Sequence, residues 1–65
     1  MHVGDIFVNK NGYICVIVDD MHFPTHVTML ILESEDEDNI KLLYRWNAGS
    51  VHDLYPRLLD DWQKM

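Results

Sequence analysis

Cysteine is almost absent: Cys15 stands alone in a chain of 65 residues, so no disulfide can close within it. No Cys-x-x-Cys pair offers the usual start of a zinc site. Cations are scarce too, with five Lys and Arg against eleven Asp and Glu and a formal net charge of −6. Proteins that grip nucleic acid need a surplus of Lys and Arg to displace condensed counterions. This balance argues against that use, and against anionic membrane surfaces. Long apolar runs are missing as well. None approaches the roughly 18 residues of a membrane helix. The opening Met1-His2-Val3-Gly4-Asp5 carries no basic leader before an apolar core, so no secretory signal is expected. A lone thiol fits a reducing compartment, and the reading is a soluble, cytoplasmic protein.

Sixty-five residues make one domain, here 1–65. A chain this short buries only about 60% of its unfolded surface. Without a disulfide or a zinc site, self-association or a larger partner is left to add stability.

What the sequence does have is a concentrated acidic run. Five of the six residues in Glu33-Ser34-Glu35-Asp36-Glu37-Asp38 are carboxylates, and no cation follows until Lys41. The run separates segments rich in β-branched and aromatic residues, which favour strands. Val3 to Val8 reads as a first strand, Asn9-Lys10-Asn11-Gly12 as a turn and Tyr13 to Val18 as a second strand, and the pair reads as a hairpin. Asp19 to Thr25 is a loop broken by Pro24, and His26 to Leu32 a third strand. Ile40 to Trp46 alternates cleanly, with Ile40, Leu42, Tyr44 and Trp46 on one face, and reads as a fourth. Asn47-Ala48-Gly49 looks like a hairpin loop. Ser50 to Tyr55 has both a capping-box spacing and Pro56 behind it. The proline favours a short fifth strand, Val51 to Tyr55, then a helical turn. Leu58, Leu59, Trp62 and Met65 would form one face of that turn.

The fold class expected is all-β: a small five-stranded antiparallel barrel with a short C-terminal helical turn. The opening Val3-Gly4-Asp5, the turn Trp46-Asn47-Ala48-Gly49-Ser50 and the proline-started Leu58-Leu59 close carry a resemblance. Together they resemble the Src-homology-type (SH3-like) small barrels of short phage-encoded proteins of unknown function. The chain is similar, more distantly, to KOW barrels, but lacks the basic residues with which those bind nucleic acid. The resemblance implies a strongly bent five-stranded sheet. It implies no shared active site.

Catalysis is not expected. Cys15 sits mid-strand between Ile14 and Val16, without a cation to activate it. No Ser-His-Asp catalytic motif and no Gly-rich phosphate loop is recognised, so neither a catalytic residue nor a cofactor is assigned. His22 and His26 bracket Pro24 closely enough to reach one metal, but no third ligand is fixed beside them, so no metal site is assigned.

Both central strands are apolar on both faces: Ile14, Val16 and Val18 oppose Tyr13, Cys15 and Ile17, while Val27, Met29 and Ile31 oppose Leu30 and Leu32. A sheet with one wet face should alternate. The second face therefore calls for cover from Leu58, Leu59 and Trp62, from a second copy, or from another protein. The expected function is a non-enzymatic acidic module that binds a basic protein surface. Glu33, Glu35, Asp36, Glu37 and Asp38 would steer, while Phe23, Tyr13 and Ile17 would anchor. The alternatives are a homo-oligomeric or virion-associated structural protein, and a nucleic-acid-binding barrel using Lys10, Lys41, Arg45 and Arg57.

Overall fold

A computed structural model of the chain describes residues 1–10, 12–34 and 46–65. The elements run β1 (Ile6–Val8), β2 (Ile14–Asp19), β3 (Val27–Glu33), β4 (Val51–Leu54), a 3₁₀ turn (Pro56–Leu59) and β5 (Gln63–Lys64). They form one antiparallel sheet in the order β4-β3-β2-β1-β5. The architecture is all-β and barrel-like, and among the described residues the sheet is left open between β4 and β5. The expected strand over 40–46 falls, for residues 40–45, outside the described residues, as do Glu35, Asp36, Glu37 and Asp38; Trp46 itself is not in a strand.

The β-branched runs in β2 and β3 make the long central pair, and their inward faces make the core. Tyr13, Cys15 and Ile17 come from one strand and its approach; Val27, Met29 and Ile31 come from the other. Phe7, Leu54 and Leu59 complete this cluster. Burial pushes the Cys15 thiol up to about 11, so at neutral pH it is a small packed hydrophobe without nucleophilic character.

The outward faces are less uniform than the alternation suggests. The β2–β3 register slips once between Ile14 and Cys15 and again between Ile17 and Asp19. The first slip leaves Leu32 as an extra residue on β3; the second does the same for Val18 on β2. Both are exposed. A bulge bends its strand and leaves the extra residue out of the ladder. The most solvent-facing apolar side chains of these two strands are thus consequences of the bends. Ile14, Val16 and Leu30 are half-buried.

Three glycines carry one repeated device. The Gly4 N–H bonds the Ile17 carbonyl while the Ile17 N–H bonds the Asp5 carbonyl. Gly12, Asn9 and Tyr13 repeat this pattern, as do Gly49, Ile31 and Ser50. Each is a bulge whose first residue is a glycine in the left-handed region, with φ of 94°, 101° and 88°. At Gly4 and Gly49 the bulge is fused to a turn, closed by Asp5 N–H to His2 O and by Ser50 N–H to Asn47 O. Positive φ at the third turn position is what a type II turn demands. This also explains why β1 begins at Ile6: Val3 and Gly4, expected in the strand, are used up in the turn.

The C-terminal segment differs from expectation. Leu58, Leu59, Trp62 and Met65 do not share a face. Leu59 enters the core, Trp62 packs against its rim, and Leu58 and Met65 are exposed. The 3₁₀ turn ends at Leu59 because the chain then straightens to pair with β1, with Met65 N–H bonding Ile6 O at 2.8 Å. The tail therefore closes the interior side of the sheet. Leu59 and Trp62 reinforce the face that carries Tyr13, with the Trp62 ring stacked on Tyr13 at 6.4 Å.

One ion pair ties the two ends together. Asp5 accepts the His2 backbone N–H at 2.8 Å, and Lys64 on β5 lies 3.4 Å from the same carboxylate. The His2 hydrogen bond first, then the Lys64 charge, hold the Asp5 carboxyl below its ordinary value of 3.8. A depressed carboxylate pKa favours the folded state above 3.8, and that contribution fades as pH falls through the folded value. Asp5→Asn keeps an acceptor for His2 but removes the charge. It should melt below the parent at neutral pH, and urea titrations should show the gap closing in strong acid. A gap that stays constant would mean that the loss is steric.

Candidate functional site

The β2–β3 connection and the β4–3₁₀ junction meet around an open groove of about 720 Å³. Phe23 and Pro24 line it from the β2–β3 connection, and Tyr55, Pro56, Arg57 and Asp60 from the chain around the 3₁₀ turn; Met1 lines it as well. The loop is shaped by its own turns. Asp19 Oδ1 accepts the Met21 N–H at 2.9 Å, Phe23 N–H bonds Asp20 O, and both Thr25 and His26 N–H reach His22 O. An aspartate that bonds the backbone two residues on is a common turn initiator. The His22 and His26 rings stack at 4.7 Å, and the Phe23–Pro24 peptide is cis. These turns present Phe23 at the surface, 48% exposed. On the second element, Pro56 starts the 3₁₀ turn, where its fixed φ and missing N–H cost nothing. Tyr55 sits just ahead of it, 61% exposed, with the Arg57 guanidinium 5.8 Å from its ring centroid.

A second, smaller hollow of about 320 Å³ adjoins the first, lined by Thr25, His26, Asp53, Leu54 and Tyr55. Tyr55 belongs to both hollows.

The residues expected to bind a partner separate here. Phe23 is exposed, as the loop and its proline suggest. Glu33 is exposed at the end of β3. Tyr13 and Ile17 are corrections: they are 4% and 0% exposed and belong to the core. Ile17 lies on the inward face of β2 with Cys15, and Tyr13, on the approach to that strand, lies under the Trp46 and Trp62 rings, so neither is open to a partner. Tyr55, Pro56 and Arg57 were not singled out together by the sequence reading. A solvent-exposed aromatic ahead of a proline-started turn is the signal that marks them.

Two constellations with catalytic or ligating appearance resolve as structural. The Ser50 hydroxyl lies 2.8 Å from His52 Nε2, a spacing shared with nucleophile–base pairs. The same hydroxyl lies 2.5 Å from the Asn47 carbonyl oxygen. A carbonyl only accepts, so the single hydroxyl proton goes to Asn47 and His52 must donate. A histidine donating to the serine cannot also withdraw its proton; the pair clamps the turn. Tyr13, Trp46 and Trp62 form a trio with centroids 5.6–6.4 Å apart. These are distances of rings packed on one another, so the trio is the lid of the core. Among the described residues, no group of three or more His, Cys, Asp or Glu side chains is placed to hold a metal ion. No helix among them is long and apolar enough to cross a membrane.

The chain matches no protein-family model, and neither characterised proteins nor solved structures provide a match.

Proposed function

We propose that the protein is a non-enzymatic binding module whose groove between Phe23 and Tyr55 takes an apolar or aromatic anchor from a basic surface of a larger protein. The observation that carries this reading is that two exposed aromatic side chains, from two separate elements, line one open groove. Aromatic residues and Arg are enriched where binding energy concentrates, and Arg57 stands beside Tyr55. The net charge of −6 supplies the choice of partner. A negative chain repels polyanions and speeds encounters with cationic surfaces. The five-stranded antiparallel sheet, bent by its bulges, is the architecture that the resemblance to Src-homology-type barrels implies. The acidic residues Glu33 to Asp38 act in this reading as the steering element.

Selection from a random peptide library displayed on a surface tests it. Enriched sequences should carry Lys or Arg beside an aromatic or large apolar residue. Phe23→Ser and Tyr55→Ser should each weaken the selected peptides about tenfold or more, with melting temperatures unchanged because both side chains are exposed. Enrichment without any cationic bias, or binding indifferent to both substitutions, would remove the proposal.

A further inference from the structure

We infer that the edge of β4 with which no described strand pairs is a second contact for the same partner: it accepts an extended basic segment as an additional strand. The inference rests on the binding-module reading and adds where the backbone of the partner goes.

Hydrogen-bond parity locates the edge. Ile31 exchanges bonds with Gly49 and Ser50 across the bulge. The register then runs Leu30↔Val51, Met29↔His52, Thr28↔Asp53 and Val27↔Leu54. Antiparallel pairs alternate between bonded and non-bonded. After the bonded pair at Ile31, His52 and Leu54 direct their N–H and C=O groups to β3. Val51 and Asp53 direct theirs away from it. Among the described residues the sheet ends at β4, and no strand pairs with that side.

The edge is only partly protected, by the Gly49 bulge just before β4 and by the charge of Asp53. Strands that avoid pairing carry Lys, Pro or a bulge on the exposed edge. Within β4 the sequence is Val-His-Asp-Leu, with neither Lys nor Pro. Val51 is 57% exposed. It ends an apolar row that crosses four strands in register, Ile6↔Val16, Val16↔Leu30 and Leu30↔Val51. A residue added opposite Val51 would extend this row. Asp53 lies on the same face two residues on. One of its oxygens accepts the Thr28 hydroxyl at 2.6 Å, leaving the other for a cation.

Charge selects the occupant. A second copy would bring another −6 to the same edge, whereas a basic segment meets Asp53 with the opposite sign. The edge also leads into the groove, since Asp53, Leu54 and Tyr55 line the smaller hollow and Tyr55 lines the larger. One extended segment can thus pair with β4 and deliver an anchor beside Tyr55. The recognised pattern is an apolar residue and a Lys or Arg two positions apart, both on the outer face. Backbone bonds hold such a strand and alternate side chains specify it.

The test uses the whole protein and a synthetic probe, acetyl-Val-Thr-Lys-Thr-Val-Thr-Lys-Thr-amide. In one derivative the Val and Lys amides are N-methylated; in another the Thr amides are. In the proposed register the first set points at β4 and the second away. The unmodified and Thr-methylated peptides should slow amide exchange at Val51 and Asp53 about tenfold or more, with His52 and Leu54 unaffected. The Val/Lys-methylated peptide should lose binding by at least about tenfold, as two or more hydrogen bonds disappear. Asp53→Asn should weaken the peptide while keeping the acceptor for Thr28. Equal binding by both methylated peptides overturns the edge assignment, and so does an absence of binding by all three. Shifts confined to Phe23 and Tyr55 overturn it too, while leaving the groove reading standing. Protection at Val51 and Asp53 that grows with protein concentration in the absence of peptide assigns the edge to a second copy and likewise overturns it. The library selection with Phe23→Ser decides the groove independently.

Discussion

Replacing Ile17 by alanine should lower the melting temperature by roughly 10–25 °C. The side chain is fully buried at the centre of β2, opposite Met29 in register and among Cys15 and Val27 in the core cluster. Removing a buried Ile to Ala costs about 2–5 kcal/mol, because the cavity left behind only partly collapses. The whole stability of a chain this short is about 3–10 kcal/mol at the usual value per residue. One substitution therefore removes a large share of it. Ile14→Ala, on the outward face of the same strand and half-buried, should cost much less. Thermal melts of the two variants side by side measure the difference. The comparison also separates two roles for Ile17. A core residue loses stability when truncated, whereas a contact residue loses affinity at unchanged stability. An Ile17→Ala protein that melts like its parent would return Ile17 to the surface and undo the assignment of the faces.

The strand identities were legible because each depends on local chemistry. β2 and β3 lie within one residue of the β-branched runs that announce them, and β4 within one residue of the short strand that Pro56 favours. Pro56 correctly set the boundary between extended chain and turn, through its fixed φ and its effect on Tyr55. β5 was not legible. Gln63–Lys64 has no strand-forming side chain, and it extends only because β1 offers unpaired backbone next to it. Tertiary pairing of this kind leaves no mark in local propensity. The inward and outward sets on β2 were separated correctly by the period of two, but their direction was open. Ile17 and Tyr13 became anchors in the sequence reading because either set is apolar enough to be the core. The choice is made by Phe7, Leu54 and Leu59, which reach the Tyr13–Cys15–Ile17 side from distant parts of the chain. Phe23 was legible as exposed because a loop with a proline keeps its tip at the surface. The residues that line the groove with it were not, since Tyr55 lies 32 positions further along the chain and only the β3–β4 pairing brings the two to one groove.

The chirality of a single atom should decide the sign of a substitution at Gly49. With φ at 88°, an L-residue there meets the penalty of the left-handed region, about 1–2 kcal/mol. An added L-Cβ meets no atom within 4 Å, so steric collision with neighbours adds nothing and the backbone alone sets the cost. A D-residue has its own minimum at positive φ. D-Ala should therefore stabilise the fold by about 0.4–1 kcal/mol, by narrowing the unfolded ensemble without straining the native turn. Asn, which tolerates positive φ better than other L-residues, should fall between Gly and L-Ala. The expected order of urea midpoints is D-Ala, Gly, Asn, L-Ala, and a chain of 65 residues is short enough to synthesise each form. Gly4 and Gly12 hold the same bulge geometry in separate turns, so a triple L-Ala variant should lose roughly 3–6 kcal/mol if distant sites add. That sum rivals the entire folding free energy, and the triple variant should be largely unfolded by circular dichroism. Equal losses for L-Ala and D-Ala at Gly49 would show that the position is set by missing volume, and the bulge would then owe nothing to the sign of φ. The outcome matters for binding as well, because the Gly49 bulge fixes the parity of β4 and so decides that Val51 and Asp53, and not His52 and Leu54, face away from β3.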